Sequence, residues 1–140
     1  MIGPTCAHFI AIADMLRSVF FLRYRFSETE EGYPEDPLQR IDVHYRGKNI
    51  AHLIYRATAY EADGPWVSGI YVHSDHRRKG LGSELLRRVE NKHPGQRIRL
   101  RARPYKDGEM SLTALMEWYQ SLGYQSYDPD EPSRMVKALR

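Results

Sequence analysis

One cysteine, Cys6, stands in a chain of 140 residues. It cannot close an internal disulfide, so a disulfide-stapled fold is excluded and a reducing compartment is the expected setting. Flanked by apolar residues, it reads as core filling and not as a nucleophile. Hydrophobic runs are short, and none approaches the ~20 residues that a bilayer-spanning helix requires. The first residues also lack the basic segment and apolar core of a secretory leader. Net charge is small: 21 Lys and Arg against 18 Asp and Glu leave +3, too little by itself to argue for nucleic acid. The 10 Gly and 8 Pro are scattered, which excludes a collagen-like or low-complexity chain. Metal-ligand spacing is missing as well, because His73 and His76 have no third ligand near them in sequence; no metal is expected. What remains is 41% hydrophobic residues, enough for one domain over 1–140 with its own core, expected in the cytoplasm and away from membranes.

Charge is distributed unevenly. Basic residues concentrate between Arg77 and Arg103, acidic ones in Glu28–Asp36 and Asp128–Glu131. The first stretch is suited to anions, the other two to a cation.

Phe9, Ile12, Leu16, Val19 and Phe20 recur at helical spacing, predicting an amphipathic helix over about 7–24. Ser27–Pro37, acidic and with two prolines, reads as a loop. Ile41, Val43 and Tyr45 alternate with Arg40, Asp42 and His44, which predicts a half-buried strand over 39–46. Gly47-Lys48-Asn49 then turns the chain into a partner strand over 50–60, and Asp63-Gly64-Pro65 turns it again into a strand over 66–73. The three form an antiparallel meander. Leu81, Leu85, Leu86 and Val89 give a helix over about 80–92, and Ile98, Leu100 and Ala102 a strand over 96–103. Leu112, Leu115, Met116 and Tyr119 give a helix over 111–122 closed by Gly123. Short strands follow at about 124–128 and 134–139. The order is that of an α+β domain.

The third strand runs into the second helix through Val72-His73-Ser74-Asp75-His76-Arg77-Arg78-Lys79-Gly80-Leu81-Gly82. The first N–H groups of a helix have no partner inside it. Glycines at 80 and 82 let an anionic group approach them, and the helix dipole with Arg77, Arg78 and Lys79 adds positive potential at the same point. The combination is a backbone phosphate cradle. The plainer alternative is a tight turn with solvated basic residues, but the position at a strand-to-helix junction favours the cradle.

Arg77-x-x-Gly80-x-Gly82 resembles the Gln/Arg-x-x-Gly-x-Gly/Ala signature of the GNAT acyltransferase superfamily. Trp118-Tyr119-Gln120-Ser121-Leu122-Gly123-Tyr124 is similar to that family's aromatic-Tyr-x-x-x-Gly-aromatic segment on the last helix. The likeness covers residues about 39–139. It implies a mixed, mostly antiparallel sheet with helices on both faces, and a short helix where Ser27–Pro37 lies. It also implies an acetyl-CoA-dependent N-acetyltransferase in which an amine attacks the thioester directly. Acetyl-CoA is the co-substrate. Its diphosphate is expected on residues 77–83, namely Arg77, Arg78, Lys79, Gly80, Leu81, Gly82 and Ser83. Its pantetheine arm is expected along Ile70, Tyr71 and Val72, where the strands over 66–73 and 96–103 splay apart. By the same resemblance Tyr119 is the general acid for the departing thiolate; the alternative is a packed core aromatic. For the base, His73, Ser68, Glu61 and a water chain all stay open.

Arg97, Arg99, Arg101 and Arg103 share one strand face. They read equally well as a solvated edge answered by Glu84 and Glu90, or as a groove for phosphate. Because the family's first loop and final hairpin flank the acceptor, the acidic segments favour a cationic amine, protein lysine slightly ahead of small molecules such as polyamines. Nucleic acid is not an expected partner; a homodimer stays open. The rival from another class is a non-catalytic CoA-binding module of the same fold that acts by contact with a protein or nucleic acid.

Overall fold

A computed structural model describes residues 23–57, 64–107 and 109–140. The helix expected over 7–24 lies, but for its last two positions, outside them, as do Cys6 and Glu61. Seven strands form one sheet: β1 (Arg25–Tyr33), β2 (Asp36–Tyr45), β3 (Lys48–Arg56), β4 (Trp66–Val72), β5 (Arg97–Arg101), β6 (Gln125–Ser126) and β7 (Arg134–Ala138). Helix α1 (Leu81–Lys92) joins β4 to β5, and α2 (Leu112–Ser121) joins β5 to β6. The spatial order is β1-β2-β3-β4-β5-β7-β6. Every neighbouring pair is antiparallel except β4 with β5. This is the mixed, mostly antiparallel sheet that the resemblance implies.

The meander over 39–73 is present, with a fourth strand added to it. Ser27–Pro37 is neither loop nor helix. Its first part pairs with β2 from Arg25↔His44 to Tyr33↔Asp36 around the tight turn Pro34-Glu35. The acids concealed this strand. A sheet-edge strand exposed along most of its length need not alternate apolar with polar residues, and only Phe26 packs inward from it. The next connection is tighter than the sequence suggests. Arg46 and Gly47 both take positive φ, 50° and 79°, as a two-residue hairpin turn demands.

One sheet face carries the core. Ile41, Val43, Ala51, Leu53 and Tyr55 lie under Leu81, Leu85, Leu86 and Val89 of α1, and Ile98, Leu100 and Met135 extend the layer. Burying each of the larger side chains stabilises the fold by roughly 1.5–3 kcal/mol. At the start of β4, Gly64 abuts the Arg97 backbone so closely that any Cβ would fall on its carbonyl. That contact sets β4 against β5, and Arg99 N–H donates to Pro65 O at 3.0 Å.

β5 lies inside the sheet, between β4 and β7. This corrects the solvated-edge reading of its arginines. Glu84 instead accepts from Arg87 and Arg88 on its own helix, and Glu90 accepts from Lys137 and Tyr124. Arg99 is buried over the Tyr127 ring, and Arg101 donates to Glu131.

Candidate active site

β4 and β5 pair only at Trp66↔Arg99 and Val67↔Leu100. Beyond Val67 they separate, as the splay expected of 66–73 and 96–103 requires. A register shift leaves Ser68 as an extra residue opposite β3, and such a bulge bends its strand. The opening is a cleft of about 290 Å³. Ile70 and Val72 form one side, Arg77, Arg78 and Gly80 to Ser83 the end, and Tyr105, Leu115, Trp118 and Tyr119 the opposite side.

The end wall is the segment that the sequence predicts to cradle a phosphate. His73 Nδ1 accepts from Asp75 N–H and caps a short 3-10 turn over Ser74–His76. Arg78 and Gly80 then take positive φ, 62° and 81°, an unusual conformation for arginine. The first bond inside α1 runs from Glu84 N–H to Gly80 O at 3.0 Å. The N–H groups of Leu81, Gly82 and Ser83 therefore have no hydrogen-bond partner among the described residues, and they border the cleft. Arg78 and Lys79 are exposed beside them without an ion pair to any described residue. Gly82 does two things at once. A Cβ there would meet the Trp118 ring at 3.2 Å, so the bare backbone also seats the indole that packs α2 against α1.

Arg77 differs from expectation in its employment. Its Nε donates to Val72 O at 2.7 Å and its Nη1 to Asp107 at 2.8 Å and to Glu109. Its guanidinium lies 4.1 Å over the Tyr105 ring. The side chain organises the cleft wall and is not a free cation. His76 stands within 3.1 Å of the Tyr24 hydroxyl. Burial and the nearby Lys79 hold its imidazole below the usual histidine range.

Tyr119 projects from α2 into the same space. It is 6% exposed, packed on Trp118 and edge-on to Tyr124, and its hydroxyl makes no hydrogen bond to a described residue. Burial, with Tyr105 nearby, pushes its phenol well above the ordinary tyrosine value. The group is therefore fully protonated at neutral pH. Tyr124 is raised further by burial and by Glu90. These two phenols give a stability prediction. Their contribution to folding is present in full below the unfolded value near 10 and is lost as pH climbs through the raised folded values. Denaturant midpoints measured from pH 8 to 11.5 should be level at first and fall steeply above about pH 10.

Of the predicted contacts, Tyr71 and Lys79 do not line the cleft, and the Tyr71 peptide groups are turned away from it. His73 N–H bonds back to Ile50 of β3 while Val72 N–H bonds to Tyr105 across the cleft. Alternation along the strand therefore points the Ile70 and Val72 peptide groups into the cleft and those of Tyr71 toward β3. His73 is outside the cleft lining, and Ser68 is exposed on the bulge. The sequence reading missed Tyr105, Asp107 and Glu109. They are placed by contacts with β4 and the turn some 30 positions away in the chain, and no local pattern marks them.

Residues 43–126 match the family model described as an acetyltransferase (GNAT) domain, well over half of the chain. The chain belongs to the GNAT acetyltransferase family. None of the curated proteins compared with it matches. Among solved structures, a protein described as an acyl-CoA N-acyltransferase from Klebsiella pneumoniae shares 22% identity at a TM-score of 0.57, over 99% of this chain and 94% of that one. Escherichia coli ElaA matches at 15% identity and a TM-score of 0.57, over 96% of this chain and 93% of its own. The PaiA N-acetyltransferase of Thermoplasma acidophilum, solved in complex with coenzyme A, gives 18% identity and a TM-score of 0.52, over 94% of this chain and 71% of that one. These likenesses show the fold. The family match makes this GNAT protein an acetyltransferase and leaves its acceptor to be derived from the cleft.

Proposed function

We propose that this GNAT protein transfers an acetyl group from acetyl-CoA to a cationic amine, a protein lysine or a polyamine. The observation that carries the reading is the cleft itself, with unpartnered N–H groups at its end and a protonated phenol on its side wall. A diphosphate needs several donors and positive potential at one point; Leu81, Gly82, Ser83, Arg78 and Lys79 supply both. The thioester arm extends from there between β4 and β5, where the backbone of Ile70 offers an N–H and a carbonyl.

The chemistry follows. The neutral amine attacks the thioester carbonyl, a C–N bond forms, and the C–S bond breaks. The amine's proton leaves to solvent, the thiolate takes the Tyr119 proton, and solvent returns a proton to Tyr119 as the thiol departs. A free lysine amine has a pKa near 10.4, so the reactive fraction grows as pH rises.

The cationic preference is supported by Glu109 in the cleft wall and Asp107 beside it, two carboxylates on the one guanidinium of Arg77, although Arg78 and Arg103 also line the cleft. Asp128 and Glu131 add acidity on the β6–β7 loop, at the end of β5 nearest the opening, although Arg101 and Arg134 answer them in part. Glu28–Asp36 lends no support. The tip of its hairpin lies at the opposite end of the sheet, where Asp36 pairs with Arg56, and Glu28 pairs with Lys92. Incubation with labelled acetyl-CoA and a panel of amines, read by intact mass, tests the reading. Lysine peptides or polyamines should acquire 42 Da (one acetyl replacing one hydrogen, about that mass) well ahead of uncharged or acidic amines. Preference for the latter would contradict it.

A further inference from the structure

We infer that Tyr105 is a gate on the donor cleft, whose hydroxyl occupies the strand-edge N–H of Val72 and must swing away before an extended, amide-bearing ligand can pair there. The inference rests on the acyl-CoA reading of the cleft and adds a step to it.

Once β4 parts from β5, the peptide groups of Val72 face the opening without a strand to pair with. A half-buried N–H or carbonyl left alone costs about 1–3 kcal/mol. This chain satisfies both from its own side chains. Val72 N–H donates to the Tyr105 hydroxyl at 3.1 Å, and Val72 O accepts from Arg77 Nε at 2.7 Å. The phenol is held in place from two sides, by the Arg77 guanidinium 4.1 Å over its ring and by Tyr71 edge-on at 5.7 Å.

The two contacts are not equivalent toward an incoming ligand. A carbonyl oxygen has two lone pairs, so Arg77 keeps its bond while a ligand N–H shares the same oxygen. An N–H has one hydrogen. A ligand carbonyl that takes the Val72 N–H displaces the Tyr105 hydroxyl, and the ring must vacate the space beside it. Competition is therefore confined to Tyr105. Donor affinity is lowered by the fraction of molecules whose gate is shut.

Tyr105→Phe keeps the ring, its cation and its aromatic neighbour, and removes only the hydroxyl. The shut state loses one hydrogen bond and the liganded state loses none. Calorimetry with CoA should give a Kd about three- to tenfold lower than for the parent chain, with the gain in the association rate. In the ligand-free protein, hydrogen exchange at the Val72 amide should speed up in the variant. An unchanged or higher Kd in a variant that still binds overturns the gate and leaves the donor reading intact. Equal Val72 exchange in the two chains overturns it as well, independently of any ligand. If neither chain binds CoA, the donor reading itself fails and takes the gate with it.

Discussion

Tyr119→Phe is expected to lower kcat by about 10²–10³-fold while CoA binding stays within about twofold. The magnitude is that of losing a positioned general acid. Binding survives because phenylalanine keeps the packing against Trp118 and Tyr124; the hydroxyl being removed bonds to none of the described residues. The raised phenol adds a pH signature. In the parent enzyme, kcat/KM should climb with pH as the amine deprotonates and show no downturn at the ordinary tyrosine value near 10. Initial rates with a thiol-reactive dye across pH 7–11 measure both effects. Undiminished turnover in the variant would move the acid elsewhere, with Tyr105 the next phenol along the wall.

Gly80→Asp is the second large effect, directed at the opposite end of the cleft. Gly80 caps α1 with φ 81°. Aspartate and asparagine tolerate that left-handed conformation better than most residues. The helix should therefore form and the melting temperature move little. The added negative charge, however, stands beside the N–H groups proposed to grip the diphosphate. At an effective dielectric near 20, two unit charges about 6–8 Å apart repel by about 2–3 kcal/mol, or about a hundredfold in Kd for CoA. Gly80→Asn, similar in shape but uncharged, should lose far less. Equal losses in the two variants would mean that shape, and not charge, is what the position controls.

The sequence revealed the parts of this enzyme that repeat or sit next to one another in the chain. Leu81, Leu85, Leu86 and Val89 announce α1 by spacing alone, and Gly80 with Gly82 marks the proposed cradle because that segment is continuous in the chain. Gly123 ends α2 where expected, with φ 98° and Tyr124 N–H bonded to Tyr119 O. Two kinds of feature stayed hidden. β1 has hardly a buried face, so its strand conformation is imposed by pairing with β2 and leaves no period in the residues. The partners of Arg77, and Tyr105 itself, stayed hidden for the other reason. A basic residue beside a phosphate cradle carries the same letter whether it stands free or is tied down, and what ties this one down is Asp107 and Glu109, some 30 positions on. The acids of Glu28–Asp36 show the same limit from the other side, because only strand direction reveals that their hairpin tip points away from the cleft.

The central claim is that the backbone at the start of α1 holds the donor's diphosphate. Titrating the ¹⁵N-labelled protein with CoA and following each amide tests it most directly. The account predicts saturable downfield movement of the Leu81, Gly82 and Ser83 amide protons, larger than that of any amide on β1 or β6. Saturable binding that leaves those three amides unmoved, or no binding at millimolar CoA, would contradict it.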